Sequence, residues 1–140
     1  MARLRLPTSD FDSISLHDVP IHAIAAMPDT FELALDIDYV IAAECSHPGA
    51  TMQLTLVPAV MKFFNVSDVS INLRSGQGLV TIASASRKRD ALGEQWEIEC
   101  DGGHIAFRAS GFTIDPRRAE VSSSVPRVDF ATRGLPFSNE

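Results

Sequence analysis

In the stretch FELALDIDYVI the apolar residues Phe31, Leu33, Leu35, Ile37, Tyr39 and Ile41 fall at every second position, with Glu32, Asp36 and Asp38 between them. No helical period reproduces that spacing; a period of two belongs to a strand with one face on a core and the other in water. The pattern predicts a half-buried strand over 31–41, with Asp36 and Asp38 projecting together from its wet face. Upstream, Val19, Ile21, Ala23 and Ala25 alternate around Pro20, which has no amide to give a ladder and suits an edge strand. Pro28, Asp29 and Thr30 have the chemistry of a turn, so the two segments read as an antiparallel hairpin.

Beyond the breaker Ser46–Ala50 (SHPGA), the alternation resumes at Met52, Leu54 and Leu56. Periodicity leaves Pro58–Phe64 open between a helical turn and a strand, and a strand or bulge is the expectation. Val69, Ile71 and Leu73 alternate with Ser70, Asn72 and Arg74; Ser75–Gly78 supplies turn residues before a strand over Leu79–Ala85, and Arg87–Gly93 reads as a polar hairpin tip. Gln95–Cys100 places Trp96, Ile98 and Cys100 inward and Gln95, Glu97 and Glu99 outward. Across Asp101-Gly102-Gly103, the residues Ile105, Phe107 and Ala109 answer it. Phe112 and Ile114 extend that strand past Gly111, read as a bulge, and Pro116 ends it. Together these elements predict a mostly β fold, an antiparallel meander of about seven or eight strands forming a sandwich or partly open barrel with little helix. Residues 1–118 are expected to form a single β domain, and 119–140 a Ser/Pro-rich tail that is partly ordered or draped on it.

Composition agrees with one packed domain: the chain has 140 residues, 45% of them hydrophobic and 21% charged. No apolar run approaches the roughly 18 residues that span a bilayer, and the start MARLRLPTSDFDSIS has arginines but no following apolar stretch, so neither membrane insertion nor secretion is expected. Cys45 and Cys100 stand far apart in no ligand spacing, which points to a reducing cytoplasm without a zinc site or a disulfide framework, a single disulfide between the two being left open.

Charge adds a regional feature to the net value of −6. Between Arg5 and Lys62 no lysine or arginine occurs, while Asp10, Asp12, Asp18, Asp29, Glu32, Asp36, Asp38 and Glu44 all do. Such a face is a poor match for nucleic acid, whose phosphates need cations to replace their counterions, and a better one for a basic protein.

Candidate chemistry is sparse. His17-Asp18 is half of an acid–base or metal site, with His22, His47 and His104 as candidate companions, but their spacings favour hydrogen-bonded turn residues. No G-x-S-x-G elbow is present, Cys100 falls on an apolar face, and Gly76 and Gly78 lack the lysine and helix of a phosphate loop. Asp36 with Asp38, and Glu97 with Glu99, are carboxylate pairs two apart on strands, suited to a solvated or partner-binding face. No cofactor or metal is expected.

Phe64-Asn65-Val66-Ser67-Asp68-Val69, Trp96-Glu97-Ile98-Glu99, and the run Gly103–Phe112 (GHIAFRASGF) resemble a group of small uncharacterised bacterial all-β domains, some of which are immunity proteins of polymorphic toxin systems. His17-Asp18 ahead of a strand matches the start of that group, so the resemblance covers most of residues 14–118. It implies a non-enzymatic protein that binds and blocks a toxin, and it names no catalytic residue. The expected partner-binding residues are Glu32, Asp36, Asp38, Glu97 and Glu99, read as one acidic sheet face. A barrel taking a small apolar ligand, and a hydrolase using His17 or His104 with a carboxylate, are the competing expectations. Pairing of two copies through an exposed edge strand is left open.

Overall fold

A computed structural model describes residues 16–45, 47–74, 80–91, 93–128 and 130–137. The turn expected at Ser75–Gly78 lies outside them, as does Leu79, the first residue of the strand expected after it. Alternating segments become strands in the order β1 (Pro20–Met27), β2 (Glu32–Glu44), β3 (Gln53–Phe64), β4 (Ser67–Leu73), β5 (Val80–Asp90), β6 (Gly93–Cys100), β7 (Gly103–Ala109), β8 (Gly111–Pro116) and β9 (Val121–Ser123), followed by one helical turn, α1 (Phe130–Arg133). Pro58–Phe64 is the second half of the continuous strand β3, and the polar tip expected over Arg87–Gly93 is mostly strand, since β5 runs on to Asp90.

All pairings are antiparallel, in the sheet order β4-β7-β6-β5-β1-β2-β3-β8, with β9 continuing the ladder on β3 beyond β8. The sheet does not close. Among the described residues, the strand pairing that joins its two halves is a short contact of β1 with β5, through Pro20–Thr81 and Ile21–Val80, and this narrow seam is where the sheet folds back on itself. β7 and β8 are not one bulged strand: Ser110 separates them, β7 pairing with β6 and β4 in one wall and β8 with β3 in the other.

The inner faces of the walls meet in an aromatic cluster. Phe63 of β3 lies edge-on to Trp96 of β6 at 5.1 Å and to Phe107 of β7 at 4.6 Å, and Phe112 of β8 meets Trp96 at 5.6 Å. Leu33, Leu35 and Ile37 of β2, with Ile82, Ile98 and Ile105 opposite, fill the remainder and are fully buried. Each such side chain contributes roughly 1.5–3 kcal/mol by leaving water.

Phe31 departs from the expected alternation. It sits in the turn before β2 with φ 54°, accepts the Val66 amide at 2.8 Å and is 64% exposed, so the core-facing series begins at Leu33. More consequential is that β2 is covered on both faces: Leu33 through Tyr39 are all buried.

Candidate functional site

The residues expected to form one acidic face lie on opposite walls. In the sheet order, β5 and β1 stand between β6 and β2, and the fold at the seam turns their outer faces away from each other. Glu32, Asp36 and Asp38 point outward from the β1-β2-β3-β8 wall, and Glu97 and Glu99 outward from the β5-β6-β7-β4 wall.

Asp36 and Asp38 are not on a wet surface; both are 0% exposed. The chain following β8 crosses the outside of β2 and closes over them. Arg117 donates to Asp36 from Nε and Nη2, each at 3.2 Å, and Arg133 of α1 reaches Asp36 at 3.0 and 3.1 Å and Asp38 at 2.7 and 3.2 Å. The backbone amides of Val128 and Phe137 add bonds to Asp38 at 2.7 Å and to Asp36 at 3.0 Å. His22, the extra residue of a bulge in β1, completes the set with Nε2 2.7 Å from Asp38 Oδ2. Carbonyls are used as well: that of Arg133 accepts from Arg117 and Arg118, and that of Ile37 from Arg133.

Burial pushes the Asp38 carboxyl toward its neutral form, but the bonds from His22, the Val128 amide and Arg133 outweigh it and hold the pKa below the usual value. Two carboxylates against two guanidinium groups, with forks and lone pairs occupied, make a structural ion cluster. Its chemistry is fastening. It pins Arg117, Val128, Arg133 and Phe137 to the outside of β2.

Sequence reasoning missed Arg117, Arg133 and His22 as members. The available signal was the run without lysine or arginine: carboxylates within it, on a strand flanked by apolar residues, had to draw guanidinium partners from outside it.

Glu32 is mostly covered, with 21% of its side chain exposed, and stands 3.9 Å from Lys62 on β3. Glu97 and Glu99 do lie on an open surface. Glu99 stands between Ser84 of β5 and His104 of β7, and Glu97 between Ser86 and Ala106. Among the described residues neither has an ion-pair partner. Asp101 follows at the strand's end, also exposed, accepting a bond from the Thr81 hydroxyl at 2.8 Å. The effect of this strip reaches Cys100, whose thiol is pushed up to about 11 by burial first and then by the carboxylates of Glu99 and Asp101.

The remaining histidines do not converge on a common centre. His17 binds the Ala83 carbonyl at 2.9 Å and lies 3.4 Å from Asp18, both side chains mostly exposed. His47 lies in the β2–β3 turn, where its carbonyl accepts from the Cys45 thiol, and His104 stands on the outer face across from Glu99. A second enclosed carboxylate, Glu94, lies at the other end of β6, 2.8 Å from Arg89 and 3.6 Å from Arg87, whose guanidinium also stacks 5.7 Å from the Trp96 ring. A cleft of about 270 Å³ on the C-terminal segment, lined by Val121, Ser122, Ser123, Val125, Arg127, Val128 and Thr132, opens outside the sandwich. No family model matches the chain, and the searches of curated proteins and of solved structures return no match either.

Proposed function

We propose that this chain is a non-enzymatic protein-binding domain that engages a basic partner through the acidic strip of β6, with Glu97 and Glu99 at its centre and Asp101 at its end. One observation carries this reading: Glu97 and Glu99 stand exposed on the outer face of β6 with no ion-pair partner among the described residues, whereas Asp36 and Asp38 are consumed internally. An unpaired row of like charge raises the field over that wall and accelerates encounter with a cationic surface. The resemblance to immunity proteins supplies the kind of partner, a toxin with a basic cleft, which the strip would enter and block. Asp36 and Asp38 have no part in this contact.

The test is association kinetics with a partner captured from the native host, comparing wild type with Glu97→Lys/Glu99→Lys. The expected result is a roughly tenfold or greater drop in association rate at low salt, shrinking as salt screens the field. An unchanged rate across salt concentrations would remove this face from the interaction.

A further inference from the structure

β4 ends the sheet: β7 pairs with one side of it, and among the described residues no strand covers the other. Antiparallel ladders alternate residues whose amide and carbonyl face the neighbour with residues whose groups face away. The Arg74 amide donates to the Gly102 carbonyl at 2.9 Å, so Arg74 and Asn72 face β7, and Leu73 and Ile71 present their backbone groups to the free edge. Close approach at this end depends on the glycine pair. A Cβ on Gly103 would lie 1.7 Å from the Asn72 carbonyl oxygen, and one on Gly102 would lie 2.4 Å from that of Arg74.

The side chains along this edge are unusual for an unpaired strand. Ile71 stands opposite the core residue Ile105 and shares its inner face, yet it overhangs the edge and is 43% exposed; Val69, two residues away on the same side, is 41% exposed. A bulge over Asp68 and Val69, with φ 53° at Asp68, interrupts the ladder only at its beginning and leaves Ser70–Leu73 in regular register with β7. Charge marks the two ends with opposite sign. Asp68 has 80% of its side chain exposed, at the long distance of 3.9 Å from Arg108 of the same molecule, and Arg74 is exposed without an ion pair among the described residues.

We propose that this chain pairs with a second copy of itself along β4, antiparallel and centred on Ile71. In that register Ile71 meets Ile71 of the second copy, Val69 meets Leu73, Ser70 meets Asn72 and Asp68 meets Arg74, the last three contacts each occurring twice. Apolar faces apolar, polar faces polar and anion faces cation at every position, and the central pair exchanges two backbone hydrogen bonds. Centring on Ser70 instead would set Asp68 against Asn72 and Arg74 against the buried Val66, losing both ion pairs. The pairing is an isologous two-fold contact that extends the sheet across two molecules. It stands independently of the partner assigned to the β6 strip.

Sedimentation velocity on the full chain across a dilution series tests it. Wild type should dimerise, Ile71→Lys should be monomeric with an unchanged far-ultraviolet circular dichroism spectrum, and Asp68→Arg should dimerise roughly ten- to a hundredfold more weakly. Should Ile71→Lys fail to fold, the double exchange Asp68→Arg/Arg74→Asp decides, because it restores opposite charges across this register and should dimerise more tightly than Asp68→Arg alone, short of wild type because an arginine at 68 stands beside Arg108. A wild-type chain that stays monomeric throughout the series, a dimer indifferent to Ile71→Lys, or a double exchange no tighter than Asp68→Arg overturns the proposal.

Discussion

An ionised carboxylate taken out of water costs several kcal/mol after relaxation, and Asp36 and Asp38 place two such groups side by side under a covering segment. Only a nearly complete set of donors offsets that cost. Arg133 is central, because its planar fork reaches both aspartates and the Ile37 carbonyl at once. Arg133→Met should therefore lower the unfolding free energy by about 3–5 kcal/mol in urea titration, the cost of stranding buried charge. Arg133→Lys should recover little of it, since an ammonium cannot span both carboxylates. The pH dependence follows from Asp38, whose folded pKa lies below its usual value of 3.8. As pH falls, the unfolded chain takes up that proton first. The stabilisation is complete above about pH 4 and is lost as pH drops through the folded value. The urea midpoint should decline with acidification in that window, with a shallower slope in Asp38→Asn.

At the scale of elements, the C-terminal segment is held mostly by polar contacts, with a three-residue strand and one helical turn as its regular structure. A chain ending at Glu120 loses Arg133, the Val128 and Phe137 amides and β9, leaving Arg117 as the arginine facing Asp36. Its thermal midpoint should fall at least as far as that of Arg133→Met. The β7 turn offers a separate check. Gly103→Ala forces a Cβ against the Asn72 carbonyl and should cost about 1–3 kcal/mol, whereas Gly49→Ala, also at positive φ but with no atom within 4 Å of a Cβ, should cost less in the same thermal unfolding measurement. Strands were readable because alternation is a local property. The extent of β3 was not, since a run such as PAVMKFF fits either period, and the break at Ser110 was not, since a sheet switch and a bulge leave the same trace in one strand's pattern.

Across the whole molecule, the net charge of −6 is distributed differently from its distribution along the chain. The stretch without lysine or arginine loses two of its carboxylates to arginines from beyond residue 116, and exposed unpaired acidity on a strand is found at Glu97 and Glu99, in a part of the sequence where acids and bases balance. The two populations should answer salt differently. Raising ionic strength should weaken partner association through the β6 strip while leaving the urea midpoint nearly constant, because a buried ion cluster is screened far less than an open row of charge. Parallel salt series of association rate and of unfolding check this directly.

The order of apolar and polar residues was sufficient by itself to determine that the chain is mostly β and antiparallel, where most strands and turns fall, and that Trp96 and Ile98 point inward while Glu97 and Glu99 point out. These depend on neighbours one or two residues away, which a linear pattern records. Only the tertiary structure decided what covers each outward face. Asp36-Ile37-Asp38 and Glu97-Ile98-Glu99 are the same pattern on two strands; one is sealed by Arg117 and Arg133, distant in sequence, and the other is left open. A period of two assigns a side chain to a face of its strand, and whether water or another segment lies against that face is set by contacts the period does not contain.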